Sequence, residues 1–247
     1  MRIAILSDIH GNSIALSAVL DDIEAQGAVD EYWILGDVVN QGYDPVGVVE
    51  RISRLPDVRC VMGNTDRYLV KGGRRGPSFE RVMANPHLLT QLVSVEQGNG
   101  WARGAMSATG WFDWLRDLPF TQRMVLPNGT RVLGVHASLV SDELGFETGT
   151  TIEELSERFH DCEANLVFAG HTHAEADLTA NGTRFVTFGC IANAQTSDRR
   201  AKYGILEASE SGYQLTRRCV EIDGDRVVEA IKRAYHPCEE WLLKFYQ

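Results

Sequence analysis

Asp8 and His10 stand one residue apart, and side chains of the same kind return at four further places: Asp37, Asn64 with Asp66, His136, and His171 with His173. Imidazole and carboxylate together suit borderline divalent ions such as Mn, Fe, Zn, Co or Ni, whereas calcium prefers cages of oxygen alone. Any one of these residues could be a helix cap or a satisfied core histidine. What argues for chemistry is their common placement, because each follows directly on a short apolar run. A carboxylate set between two cations can bridge them, and a water shared by both is acidified to hydroxide near neutral pH, poised for in-line attack on phosphorus. Two divalent metal ions and phosphoryl hydrolysis are therefore the expected cofactors and reaction. His87, His160 and His236 lack this placement and read as ordinary histidines.

The apolar runs read as strands. Residues 2–7 lead into Asp8-Ile9-His10-Gly11, residues 32–35 into Gly36-Asp37, residues 58–62 into Gly63-Asn64-Thr65-Asp66, residues 131–135 into His136, and residues 165–169 into Gly170-His171-Thr172-His173. In α/β sheets ligands bind beyond the carboxyl ends of strands, which is where all these side chains fall. Helical patterns separate the first three strands: Leu16, Val19, Leu20 and Ile23 repeat after the N-cap Asn12, and Asp44-Pro45 offers a cap and an N1 proline for a second helix.

From 67 to about 120 the rhythm breaks. Residues 71–75 are basic and loop-like, and residues 101–118 are aromatic-rich and read as helical, so a helical insertion beside the sheet is expected. Beyond it, Asn128-Gly129 and Asn181-Gly182 mark hairpins, and Thr151 with Glu154 forms a capping box. Strands at 203–207 and 213–222 read as antiparallel, which makes the sheet mixed. A helix from about 225 to 235 and an apolar tail with Trp241, Leu242, Leu243 and Phe245 follow, the tail packing on the body or on a twin subunit as a homo-oligomer.

At 247 residues and 44% hydrophobic, the chain reads as one domain, 1–247, with the insertion at 67–120 and a C-terminal helix and tail at 224–247. Its net charge of -10 disfavours nucleic acid and anionic membrane as partners. The five cysteines are widely spaced without a C-x-x-C pair, which argues against a disulfide framework and a cysteine metal cage. No apolar run nears the ~20 residues of a membrane span, and the reading is a cytoplasmic protein.

In that order, Asp8-x-His10, Gly36-Asp37, Gly63-Asn64-x-Asp66, Val135-His136 and Gly170-His171-x-His173 resemble the five signature blocks of the calcineurin-like metallophosphoesterases, over residues 1 to about 205. The chain looks especially similar to their bacterial and archaeal diadenosine-tetraphosphatase-like or small-phosphodiesterase branch. The resemblance implies a four-layer αββα sandwich with two mixed β-sheets. It implies one metal on Asp8, His10, Asp37 and His173, and a second on Asp37, Asn64, His136 and His171, with Asp37 as the bridge. The expected catalytic residues are Asp37, Asn64 and His136 among these, together with Asp66 and Arg200.

Two departures stand out. The third block commonly carries a histidine after its asparagine, thought to stabilise the transition state or protonate the leaving oxygen, and here that residue is Thr65. Asp66 thereby loses its usual imidazole partner. A general acid is typically a 10²–10⁴-fold effect, so diesters or anhydrides with good leaving groups are expected to be preferred over alkyl monoesters. The second departure is residues 189–195, less glycine-rich than the family's loop, although Arg200 lies where a phosphate-binding fork would serve, ahead of Arg199 and Arg67. The expected function is a dinuclear phosphoesterase acting on a small phosphate-ester or nucleotide substrate. The alternatives are a weak or inactive scaffold of the same fold, which intact ligand positions oppose, and a nuclease, for which only residues 71–75 are basic. A protein phosphatase is opposed by the missing histidine and the short chain.

Overall fold

The central strands alternate their side chains between two apolar environments, and this dictates a layered molecule. The computed structural model describes residues 1–73 and 76–246. In chain order the elements are β1 Arg2–Leu6, α1 Ser13–Ala25, β2 Glu31–Ile34, α2 Pro45–Ile52, β3 Val58–Cys60, α3 Asn64–Lys71, α4 Phe79–Ala84, α5 Leu89–Ala108 and α6 Phe112–Arg116. They continue with β4 Thr121–Val125, β5 Arg131–Val135, α7 Ile152–Arg158, β6 Leu166–Ala169, β7 Glu175–Ala180, β8 Thr183–Phe188, β9 Ala201–Ser209, β10 Gly212–Val220, α8 Gly224–Arg233 and α9 Glu239–Leu243.

Two five-stranded sheets result, ordered β10-β9-β1-β2-β3 and β4-β5-β6-β8-β7. β1, β2 and β3 run parallel, while β9 is antiparallel to both β1 and β10. In the second sheet β5, β6 and β8 run parallel, with β4 and β7 antiparallel at its edges. Ile3 and Ile5 of β1 join Trp33, Val132, Phe168 and Val186 in the core between the sheets. Ala4 and Leu6 face the other way, into the core under α1, α2, α5 and α6. On the far side Leu133, Val135 and Val167 pack with Leu155 of α7. The order is helix, sheet, sheet, helix: the expected αββα sandwich with two mixed sheets.

The insertion is helical, but its helices differ from the expected stretch. α3 already begins at Asn64, α5 runs twenty residues from Leu89, and Gly110, with φ of 81°, separates it from α6. Gly98, Gly100 and Gly104 weaken the helix signal of α5 in the sequence. Of the basic stretch 71–75, Arg74 and Arg75 lie outside the described residues. The tail packs on the body: Leu242 is buried with Tyr43, Val227 and Ile231. Among the described residues no helix is long and apolar enough to cross a membrane.

Candidate metal centre

The strands β1, β2, β5 and β6 end at the same edge of the sandwich, and the chain leaves each through a tight loop. Asp8, His10, Asp37, His171 and His173 all adopt left-handed backbone, with φ of 55°, 46°, 53°, 70° and 59°. Such conformations cost about 1–3 kcal/mol each in non-glycine residues and persist where the surroundings fix them, typically at functional sites. Five of the seven expected ligands are held this way. Gly36, and Gly63 in the neighbouring loop after β3, are required by space. A Cβ at Gly36, itself at φ of 83°, would stand 2.8 Å from His136 Nδ1, and one at Gly63 would collide with the Asp37 carboxylate.

Three imidazoles are locked from behind. His10 Nδ1 donates to the Asn40 carbonyl at 2.9 Å, His136 Nδ1 to the Leu35 carbonyl at 2.7 Å, and His173 Nδ1 to the Asn193 carbonyl at 2.8 Å. Each bond fixes the tautomer and turns an Nε2 lone pair into the site, as metal-binding histidines require. His10 Nε2 and His173 Nε2 then face one another at 3.1 Å. On the other side His136 Nε2 lies 2.9 Å from Asn64 Oδ1, and His171 Nδ1 lies 3.1 Å from that oxygen and 3.3 Å from His136 Nε2. Lone pairs converge in two groups.

Asp37 lies between the groups. Its Oδ2 is 3.7 Å from His10 Nε2, and its Oδ1 is 3.5 Å from His136 Nε2 while accepting the Thr65 amide at 2.9 Å. Asp8 is fully buried, accepts the His171 amide at 3.2 and 3.1 Å, and has Oδ1 3.5 Å from His173 Nε2. Ligand atoms of Asp8, His10 and His173 lie within 4.8 Å of one another, as do those of Asp8, Asp37 and His136. The two sets share Asp8, and Asp37 belongs to the second of them.

The electrostatics match a cation site. Burial pushes the Asp8 carboxyl up, yet His173, His136 and His10 together outweigh it and hold it below the usual carboxylate range. Burial lowers His10 and His171 from their ordinary value, while in His173 and His136 the nearby carboxylates outweigh burial and raise it. Each facing pair thus holds one imidazole favoured as a cation and one that is not, the pattern of ligands that need positive charge between them. Buried carboxylates and imidazoles whose ring nitrogens converge, held together in the absence of other cations by shared protons, fit divalent metal ions.

Asp66 is fully buried on α3, where it accepts from the backbone amides of Val38 at 3.0 Å, Val39 at 3.2 Å and Gly63 at 3.1 Å. Burial and the Asp37 charge push its carboxyl up to about 6, with those amides opposing. It braces the Asp37 loop. Thr65 is also buried, and its hydroxyl is without a hydrogen-bond partner among the described residues. Arg200 is not brought into the cluster: it is exposed and forks onto Asp198 at 2.9 and 3.1 Å. Arg67 forks onto Asp142 and also reaches Glu143 at 2.7 Å. A cleft of about 730 Å³ opens from Asn64 and His171, walled by Tyr68, Thr172, Gln195 and the loop 143–150.

Sequence reasoning passed over Asn40, Asn193, Tyr68 and Glu143 as parts of the site. The first two act through backbone carbonyls, which leave no mark in sequence. Tyr68 could have been found, since it stands four residues after Asn64, one turn along the same helix.

The calcineurin-like phosphoesterase superfamily domain matches residues 1–211. The chain belongs to this superfamily. It is accordingly a metal-dependent hydrolase of phosphoric ester bonds. A solved metallophosphoesterase of Sphaerobacter thermophilus is 26% identical to this phosphoesterase and superposes with a TM-score of 0.71, the match covering 100% of this chain and 98% of that one. An uncharacterized protein of Methanocaldococcus jannaschii is 27% identical over 94% of this chain and 87% of its own length. A symmetrical bis(5'-nucleosyl)-tetraphosphatase of Paracidovorax citrulli is 30% identical over 57% of this chain and 45% of its own length, so the phosphoesterase spans less than half of that enzyme.

Proposed function

We propose that this phosphoesterase is a dinuclear enzyme that cleaves small phosphodiesters or nucleotide-type phosphate esters. The observation that carries the reading is the pair of converging lone-pair groups, His10 with His173 and His136 with His171 and Asn64, that flank the two oxygens of Asp37. His10, His173, Asp8 and Asp37 would hold one ion, and Asp37, Asn64, His136 and His171 the other. Divalent ions bound there supply Lewis acidity toward a phosphoryl oxygen and acidify water to a nucleophile near neutral pH.

The chain's own residues set the geometry. The carbonyl-anchored rings keep their donor atoms fixed, so no reorganisation is needed as charge develops on phosphorus. The cleft beside Asn64 and His171 has the volume of a small-ligand site and would take the leaving-group half of the substrate. Thr65 is buried and has no acid function, so protonation of a departing alkoxide has no imidazole at the family's usual position. Leaving groups that depart unprotonated are therefore preferred, which favours aryl or nucleotidyl diesters and anhydrides. The tetraphosphatase relative, named for a nucleotide anhydride substrate, supports that class.

The test is hydrolysis of an aryl phosphodiester and its matching monoester by manganese-loaded protein, with Asp37→Asn as the blank. The expected result is turnover that vanishes in the blank, with the diester faster than the monoester. A monoester rate above the diester rate would contradict the preference, and equal rates with Asp37→Asn would contradict the site.

A further inference from the structure

The side-chain amide of Asn64 can present either its oxygen or its nitrogen to the metal centre, and only the oxygen can be a ligand. Its surroundings hold a device that decides between them. Asn64 Nδ2 lies 3.2 Å from the Tyr68 hydroxyl, and that hydroxyl lies 2.9 Å from Glu143 Oε1. Glu143 Oε1 in turn accepts from Arg67 Nη2 at 2.7 Å.

The polarity of this chain runs one way only. An ionised carboxylate accepts and cannot donate, so the single phenolic proton of Tyr68 goes to Glu143. The Tyr68 oxygen then has only lone pairs to offer on its other side. A flipped Asn64 would set its own oxygen against those lone pairs, so Nδ2 must face Tyr68 and Oδ1 must face His136 and His171, as it does at 2.9 and 3.1 Å. Without this chain nothing behind Asn64 would distinguish its oxygen from its nitrogen, and the amide could turn Nδ2 toward the centre.

We propose that Arg67, Glu143 and Tyr68 form a polarity relay that locks Asn64 in its ligand orientation, making Tyr68 a positioning residue for metal binding. Glu143 belongs to the loop that walls the cleft, so the relay also ties that wall to the metal centre. The proposal rests on the reading of Asn64 as a ligand of a divalent ion.

Manganese titration by isothermal calorimetry tests it without any substrate. Wild-type protein is expected to bind ions in two steps. Tyr68→Phe should weaken one step by about 10–100-fold, the usual effect of losing a partner behind a ligand, and leave the other unchanged. Glu143 is exposed, so Glu143→Gln tests the same relay with no demand on folding; its amide can donate to Tyr68, which releases the polarity and should weaken the same step less. The decisive variant is Asn64→Asp, whose two oxygens make a flip harmless: in that background Tyr68→Phe should cost no affinity. If wild-type protein binds manganese and Tyr68→Phe binds it equally well, or if Asn64→Asp fails to remove the effect, the relay is wrong and the metal centre stands. If wild-type protein binds no divalent ion, both readings fall.

Discussion

The carboxylate of Asp66 accepts from three backbone amides, and asparagine at that position would turn an amide donor toward one of them. The expected cost of Asp66→Asn is about 1–3 kcal/mol, read as a lower urea midpoint with an unchanged slope. Because the braced amides belong to the loop of Asp37, metal affinity should fall as well; unaltered stability would mean that the brace carries no weight. Residues of this kind mark the limit of reading a sequence. The proposed ligands Asp8, His10, Asp37, His136, His171 and His173 were legible because they follow apolar runs. The anchors behind them, at Leu35, Asn40 and Asn193, were not, since any residue type has a carbonyl. Asp66 was legible as part of a motif, while its work as a brace depends on three amides that only the folded loops bring together.

Among the elements, the strand-end loops leave no room for larger residues. Gly63→Ala would drive a methyl group into Asp37, so the variant should lose metal binding in calorimetry even where circular dichroism shows a folded protein. The tail is an element with its own pH signature. His236 packs edge-on against Trp101 of α5 at 4.7 Å, and its Nδ1 accepts the Cys238 amide at 3.0 Å. Burial pushes this imidazole from its ordinary 6.5 down to about 4. The folded state therefore binds fewer protons than the unfolded one between these values, so stability is complete above pH 6.5 and lost as pH falls toward 4. The loss should be about 2 kcal/mol, allowing for solvent screening, and should be absent from His236→Gln in urea unfolding at pH 7 and pH 4.5. Parallel βα units and the Asn-Gly hairpins were legible in the sequence, because periodicity and turn chemistry are local, whereas the two-sheet sandwich was implied by the family resemblance. The start of α5 did not show, because three glycines thin its apolar stripe and contacts with α2, α3 and α6 hold the helix instead.

For the whole molecule, a net charge of -10 surrounds a small site built to hold cations, so long-range attraction brings metal ions toward it while polyanions are repelled. Bound ions should stabilise the native state by about 2.7 kcal/mol for each ion at a hundred times its Kd, which is roughly 5–10 °C in Tm for a chain of this size. Scanning calorimetry with manganese and with EDTA checks this, and Asp37→Asn should show a smaller shift. The most direct test of the account is anomalous diffraction from crystals grown with manganese. The account predicts two anomalous peaks, one beside His10 and His173 and one beside His136, His171 and Asn64, with a carboxylate oxygen of Asp37 reaching both. A single peak, or two peaks that Asp37 does not join, would contradict it.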